Sequence, residues 1–144
     1  MSANFNFSFP TIPTFDSLTG LFADSSVAGS TIDITSTIGY NKTIATGINN
    51  DYIRAGLGSD IIGGGAGADI FAFGSPLEGI DTIADFAIEQ GDKIEISGVG
   101  FGIGVTELNR FSYYAATGGL YFDNIQLATL PINLNFSPAN LTIV

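Results

Sequence analysis

GLGSDIIGGGAGADIFAF, residues 56–73, decides the fold. The stretch carries two copies of one frame, G-G-x-G-x-D-x-U-x, where U is a large apolar residue. Ala55-Gly56-Leu57-Gly58-Ser59-Asp60-Ile61-Ile62-Gly63 fills the frame with Ala in the first place, and Gly64-Gly65-Ala66-Gly67-Ala68-Asp69-Ile70-Phe71-Ala72 fills it without departure. Glycine opens backbone angles closed to other residues, so carbonyls can turn towards one point, and the Asp ending each turn adds a carboxylate oxygen. Carbonyls plus carboxylate, with no nitrogen or sulphur, suit a hard cation, and Ca²⁺ best. The x-U-x run is a short strand with one side chain facing in. Turn and strand repeating at this period are the signature of a parallel β-roll.

Counting back from Asp69 in steps of nine reaches Asp60, Asp51, Lys42, Asp33 and Asp24, all Asp except Lys42. Counting back from Gly65 gives Gly56, Gly47, Ile38, Gly29 and Gly20, with the gap in the same repeat. The strand position two after each Asp is Phe71, Ile62, Ile53 and Ile44, then weakens to Thr35 and Ser26. Thr46–Arg54 therefore reads as a third repeat, whereas residues 19–45 are either fading repeats or an irregular strand-rich segment. A nine-residue unit is one side of a flattened coil, so the register predicts one edge with Asp33, Asp51 and Asp69 and another with Asp24, Lys42 and Asp60. An ammonium among carboxylates can replace a bound cation, so Lys42 is predicted to silence calcium between the loops at 24 and 60.

Composition narrows the function. With 4 Lys plus Arg against 14 acids, the formal charge is −10, which argues against nucleic acid because phosphates demand a basic patch. A solvated acidic surface is the alternative meaning of that charge. Disorder is disfavoured by 45% hydrophobic content and 12 Phe in 144 residues, enough chain for one domain with a core. With no Cys and no His, the sequence excludes thiol catalysis and His-based triads, and provides none of the usual nitrogen and sulphur ligands of zinc. The N-terminus lacks the basic and apolar regions of a Sec-type signal peptide. No apolar run approaches the roughly 20 residues of a membrane span.

Around the repeats, Asn4, Phe5, Asn6, Phe7, Ser8 and Phe9 alternate as a half-buried strand stopped by Pro10. Residues 1–18 are expected to cap the open end of the roll, a sticky surface for a partner being the other reading. Residues 19–73 are assigned to the roll, most firmly 46–73, and 74–144 to an antiparallel cap, all in one structural domain. In that cap Lys93–Ile96 alternates as a strand, 97–105 is a glycine-rich bend packing Phe101 inward, and Thr106–Arg110 makes a single helical turn. Phe111–Tyr114 and Leu120–Phe122 form a hairpin about Gly118-Gly119, and Ile125–Leu130 is a further strand. Asp81, Asp85 and Asp92 are either solvated turn acids or further ligands. The expected class is thus all-β: a short calcium-binding parallel β-roll continuing into an antiparallel β-sandwich cap.

Residues from about 46 to 144 resemble the C-terminal part of RTX proteins, the haemolysin-type calcium-binding repeat family, and above all the C-terminal domain of serralysin-type metalloproteases and of many cyanobacterial-type RTX proteins. GGAGADIFAF (64–73), GIDTIADFAIEQGDKIEIS (79–97), FSYYAATGGLYFD with IQLATL (111–130) and the terminal NLTIV carry the resemblance in the family's order. It implies that Gly47, Asn49 and Asp51 share an ion with Gly64, Ala66 and Asp69, Asn49 departing from the usual Gly. It implies a half-site at Gly56, Gly58 and Asp60, closed by residues after Phe73. Gly65, Gly67 and Asp69 would face the cap, where Asp85 resembles a family ligand and Asp81 is a further candidate. More than one Ca²⁺ ion is implied. So is export by a type I secretion machinery through an uncleaved C-terminal signal, with folding outside the cell where calcium is abundant. The HExxH motif is impossible without His, so the protease activity of the relatives is not expected.

The leading expectation is a secreted, extracellular, non-enzymatic calcium-binding protein, associated with the cell surface. The alternative is a carbohydrate-binding module with a cell-surface polysaccharide as partner, for which Tyr40, Tyr52 and Arg54 are the candidate contacts. Glycosidase chemistry needs two carboxylates about 5 Å apart, and Glu78, Glu89, Glu95 and Glu107 offer no such pairing in the sequence.

Overall fold

A strand of three or four residues cannot bury its one apolar side chain alone, so it must stack on a like strand one coil away. The computed structural model describes residues 3–9, 17–22, 30–36 and 39–144, with side chains for 31–33 and 39–144. The strands are β1 (Ala3–Phe9), β2 (Ser17–Phe22), β3 (Ser30–Ser36), β4 (Asn41–Ala45), β5 (Tyr52–Arg54), β6 (Ile61–Gly63) and β7 (Ile70–Phe73). They continue with β8 (Asp81–Ile83), β9 (Lys93–Ile96), β10 (Phe111–Tyr114), β11 (Gly119–Phe122), β12 (Ile125–Thr129) and β13 (Leu141–Ile143).

Successive strands from β1 to β10 alternate between two sheets. One is six-stranded, ordered β1-β3-β5-β7-β9-β13, and every pairing in it is parallel. The other is seven-stranded, ordered β10-β11-β12-β8-β6-β4-β2, parallel from β2 through β12 and antiparallel only at β12-β11-β10. The all-β class and the roll hold. The antiparallel part is narrower than expected for 74–144, because β8, β9, β12 and β13 add parallel strands to the roll's own sheets. Asp81-Thr82-Ile83 and Asp92-Lys93-Ile94 copy the D-x-U strand of the repeats, and each stacks on the coil before it.

The inward rows are those the repeat requires. Ile32, Ile53, Phe71, Ile94 and Leu141 lie opposite one another across the first sheet, and Ile44, Ile62 and Ile83 across the second. All are buried in one core. Burying such side chains contributes roughly 1.5–3 kcal/mol each. In the cap, Phe101, Phe111 and Phe122 interlock with ring centroids 5.1–6.0 Å apart, and Phe86 bridges Phe71 to Phe136. Phe101 ends a one-turn helix, α1 (Gly98–Phe101), and a 3₁₀ turn at Leu108–Arg110 precedes β10.

The nine-residue register does not reach back to Asp33. That residue lies within β3 opposite Arg54, and Ile32 takes the inward place against Ile53. The alternation of Thr31-Ile32-Asp33-Ile34 puts Asp33 on the other face from Ile32, and strand alternation outweighs a coincidence of spacing. Residues 23–29, with Asp24, lie outside the described residues, as do Pro10 to Asp16. Of residues 1–18, Ala3–Phe9 forms β1, the outer strand of the first sheet beside β3.

Candidate functional site

Each edge of the roll carries a vertical file of buried side chains. On one, the N–H of Asp51 donates to Oδ1 of Asp69 at 2.9 Å, and the N–H of Asp69 donates to Oδ1 of Asp92 at 2.9 Å. On the other, the N–H of Lys42 donates to Oδ1 of Asp60 at 2.7 Å and the N–H of Asp60 to Oδ1 of Asp81 at 2.9 Å. The Asp that ends a turn is thereby fixed to the turn one coil below. Asp60 and Asp69 are 1% and 0% exposed, which for charged groups demands compensation.

Compensation by hydrogen bonds is incomplete. Oδ2 of Asp60 and Oδ2 of Asp69 are buried without a hydrogen-bond partner. Burial, with repulsion from Asp92, Asp51 and Asp85, pushes the Asp69 carboxyl up to about 7. Burial and the charge of Asp60 push Asp81 up to about 8. Asp60 and Asp92 are also raised, by burial first. Such carboxylates want a proton or a metal cation. Among the described residues no group of three or more acidic side chains converges on one point, so an ion here must also be held by carbonyls.

The loops supply those carbonyls. The turn at 46–51 lies under the turn at 64–69: the N–H of Ala66 donates to the Gly47 carbonyl at 3.1 Å, and the Thr46 hydroxyl to the Gly64 carbonyl at 2.7 Å. Gly65 and Gly67 adopt φ of +79° and +121°, and a Cβ on them would lie 2.0 Å from the Gly47 carbonyl oxygen and 2.6 Å from that of Asn49. A Cβ on Gly64 would meet Oδ2 of Asp69 at 2.3 Å. The loop backbones thus pass so close that only glycine fits, with Asp69 against them. Gly47, Asn49, Asp51, Gly64, Ala66 and Asp69 are therefore brought together as two stacked turns. On the other edge Gly56, Gly58 and Asp60 lie beneath the segment leading to Asp81, where the Gly58 N–H donates to the Glu78 carbonyl at 2.7 Å. The donor chemistry fits a hard cation.

This arrangement of glycine turns, Asp files and paired parallel sheets has a counterpart among known families. The family described as Peptidase M10 serralysin C terminal matches residues 22–142. The chain belongs to the serralysin C-terminal family. No curated protein and no solved structure matches it. The match to the serralysin C-terminal family begins at residue 22, earlier than the segment whose motifs carry the resemblance, and it concerns the non-catalytic part of serralysin-type proteases. Among the described residues of this family member, no helix is long and apolar enough to cross a membrane.

Within this serralysin C-terminal fold the cap residues take distinct places. Asp85 accepts the N–H groups of Gly64 and Gly65, one on each carboxylate oxygen, at 2.9 and 2.8 Å. Gln90 accepts the N–H of Gly67 at 2.9 Å. Asp92 is tied at both oxygens, by the N–H of Asp69 and by that of Ala87 at 2.8 Å. The sequence leaves Asp92 between turn acid and ligand, and no motif in it marks Gln90. The D-x-U pattern of Asp92-Lys93-Ile94 is the signal that places Asp92 at the top of its file. The residues considered for polysaccharide contact do not form an exposed stripe. Tyr40 is buried, the half-buried Tyr52 donates to Glu95 at 2.8 Å, and Arg54 pairs with Glu78 at 3.7 Å.

Proposed function

We propose that this chain is a secreted, non-enzymatic calcium-binding β-roll whose folding is coupled to extracellular Ca²⁺. The observation that carries the reading is Asp69: fully buried, held by one N–H, with its second oxygen unpaired between two further carboxylates of the same file. The ligand set proposed for the first edge is Gly47, Asn49 and Asp51 with Gly64, Ala66 and Asp69; on the second it is Gly56, Gly58 and Asp60 with Asp81. Asp85, Gly65 and Gly67 belong to the cap side of the first edge. Bound there, Ca²⁺ supplies the positive charge that the facing carboxylates lack. The chain's own part is to hold the Asp files in register through N–H donation and to bring glycine carbonyls within reach. Without the charge, the same files repel, so closing the roll and binding the ion are coupled, and the calcium-free roll is the less stable form. Extracellular modules of this kind bind with dissociation constants of roughly 10⁻⁴–10⁻³ M.

Membership of the serralysin C-terminal family supports export by a type I machinery and a place outside the cell. Strand β13 is stitched into the first sheet beside β9, with the Val144 N–H on the Ile96 carbonyl at 2.9 Å. The test is circular dichroism of the purified chain during a Ca²⁺ titration after chelation. Strand signal should rise with Ca²⁺, and a signal indifferent to chelator at every ionic strength would sink the reading.

A carbohydrate-binding role is the second reading. It is favoured by the exposed Tyr114, stacked edge-on against Tyr121 at 5.2 Å beside a shallow groove lined also by Thr117, Asp123 and Asn124. A polysaccharide binding screen with Tyr114→Ala as control separates the two.

A further inference from the structure

Lys42 holds the sixth place of its nonapeptide, where Asp51, Asp60 and Asp69 stand in theirs. A surface lysine at a loop end would point into water. This one is 3% exposed. Its Nζ donates to the Tyr40 carbonyl at 2.7 Å and to the Leu57 carbonyl at 2.6 Å, and it lies 3.1 Å from Oδ1 of Asp60. Tyr40 belongs to the loop below and Leu57 to the loop above. The ammonium thus bridges two stacked turns through one carbonyl from each and the carboxylate of the upper one.

An ammonium has three protons and no acceptor. Here two carbonyls accept hydrogen bonds from it, and the Asp60 carboxylate stands at ion-pair distance. Burying an unpaired ammonium costs several kcal/mol, so the site exists because it is complete. The same completeness excludes a metal ion, since a second cation among these oxygens would meet a fixed positive charge at contact distance.

We infer that Lys42 is a tethered cation that closes the coil between β4 and β6 in place of Ca²⁺. The inference rests on the calcium reading of the neighbouring coils and departs from it at this one. Its consequence is an asymmetric roll. The coil bounded by Lys42 and Asp60 carries its own counter-charge and needs no metal, whereas the coil bounded by Asp51 and Asp69 has two acids and no lysine. The metal-independent coil is then a fixed step on which the calcium-dependent turns close.

The test is a Ca²⁺ count, by titration calorimetry and native mass spectrometry, on the wild-type chain, Lys42→Asp and Lys42→Asn. Asp restores the residue the repeat has elsewhere, and Asn offers a neutral oxygen in the same place. The expected result is one more Ca²⁺ per chain than wild type in at least one variant. That variant should also lose strand signal in calcium-free buffer at a lower urea concentration than wild type. If neither variant takes up the extra ion, whether it folds with the wild-type number or fails to fold at saturating Ca²⁺, the inference is overturned. A wild-type chain that binds no Ca²⁺ overturns instead the calcium reading beneath it.

Discussion

The backbone N–H of Asp51 and the carboxylate of Asp69, eighteen residues apart, meet at 2.9 Å inside the roll. The contact fixes the two turns in register and at the same time brings two acids of one file close together with a single N–H between them. Stability and repulsion are built into the same pair.

Replacing Asp69 by Asn keeps an acceptor for the Asp51 N–H and removes the charge. In calcium-free buffer at about pH 8 the variant should be the more stable of the two, by roughly 1 kcal/mol, because repulsion and desolvation are relieved. At saturating Ca²⁺ it should be the less stable, with affinity at least about tenfold weaker. Urea denaturation under both conditions reads the crossing. Equal stability order in both would show that Asp69 is not a ligand.

The raised carboxyls of Asp69, at about 7, and Asp81, at about 8, set the pH dependence of the calcium-free chain. A folded-state pKa above the unfolded one means that the native state binds the proton more tightly. The stabilisation is then full below the ordinary carboxylate range and is lost as pH rises through about 7 to 8. The calcium-free chain should therefore be more stable at about pH 5.5 than at about pH 8.5, by roughly 1–3 kcal/mol. Saturating Ca²⁺ should abolish or reverse that slope. Thermal melts across this range, with and without Ca²⁺, are the measurement.

Asp92 tests the difference between a latch and a ligand. Both of its oxygens are occupied by N–H groups, of Asp69 and Ala87. Asp92→Ala should cost roughly 2–4 kcal/mol at saturating Ca²⁺ through two orphaned donors. The Ca²⁺ count should stay at the wild-type value. A lost ion would move Asp92 into the ligand set.

Gly65→Ala should cost at least about 2–3 kcal/mol, since its Cβ would strike the Gly47 carbonyl oxygen at 2.0 Å on a backbone with φ of +79°. Gly104→Ala, where the nearest atom is 3.8 Å away at the end of the Glu107 side chain, should stay within about 0.5 kcal/mol of wild type. Chemical denaturation at saturating Ca²⁺ compares them. Equal costs would mean that the stacked turns are not packed as closely as described.

The sequence by itself determined the repeat and what the repeat dictates. Gly-x-Gly-x-Asp followed by an alternating apolar place fixes a turn, a strand and an inward side chain locally, so Phe71, Ile62, Ile53 and Ile44 were legible as core and Asp51, Asp60 and Asp69 as one kind of residue. Lys42 was legible as the exception, because a charge reversed at a repeated position needs only counting. What counting could not decide was which segments stack on which. Asp33 kept the spacing yet lies within a strand opposite Arg54, since the pairing of β3 with β5 obeys the burial of Ile32 against Ile53. The segment after residue 73 lost the spacing yet carried the roll onward, because loops of unequal length still return Asp81 and Asp92 to the tops of their files. Periodicity is written in the chain; register across sheets is settled only when distant side chains compete for one core.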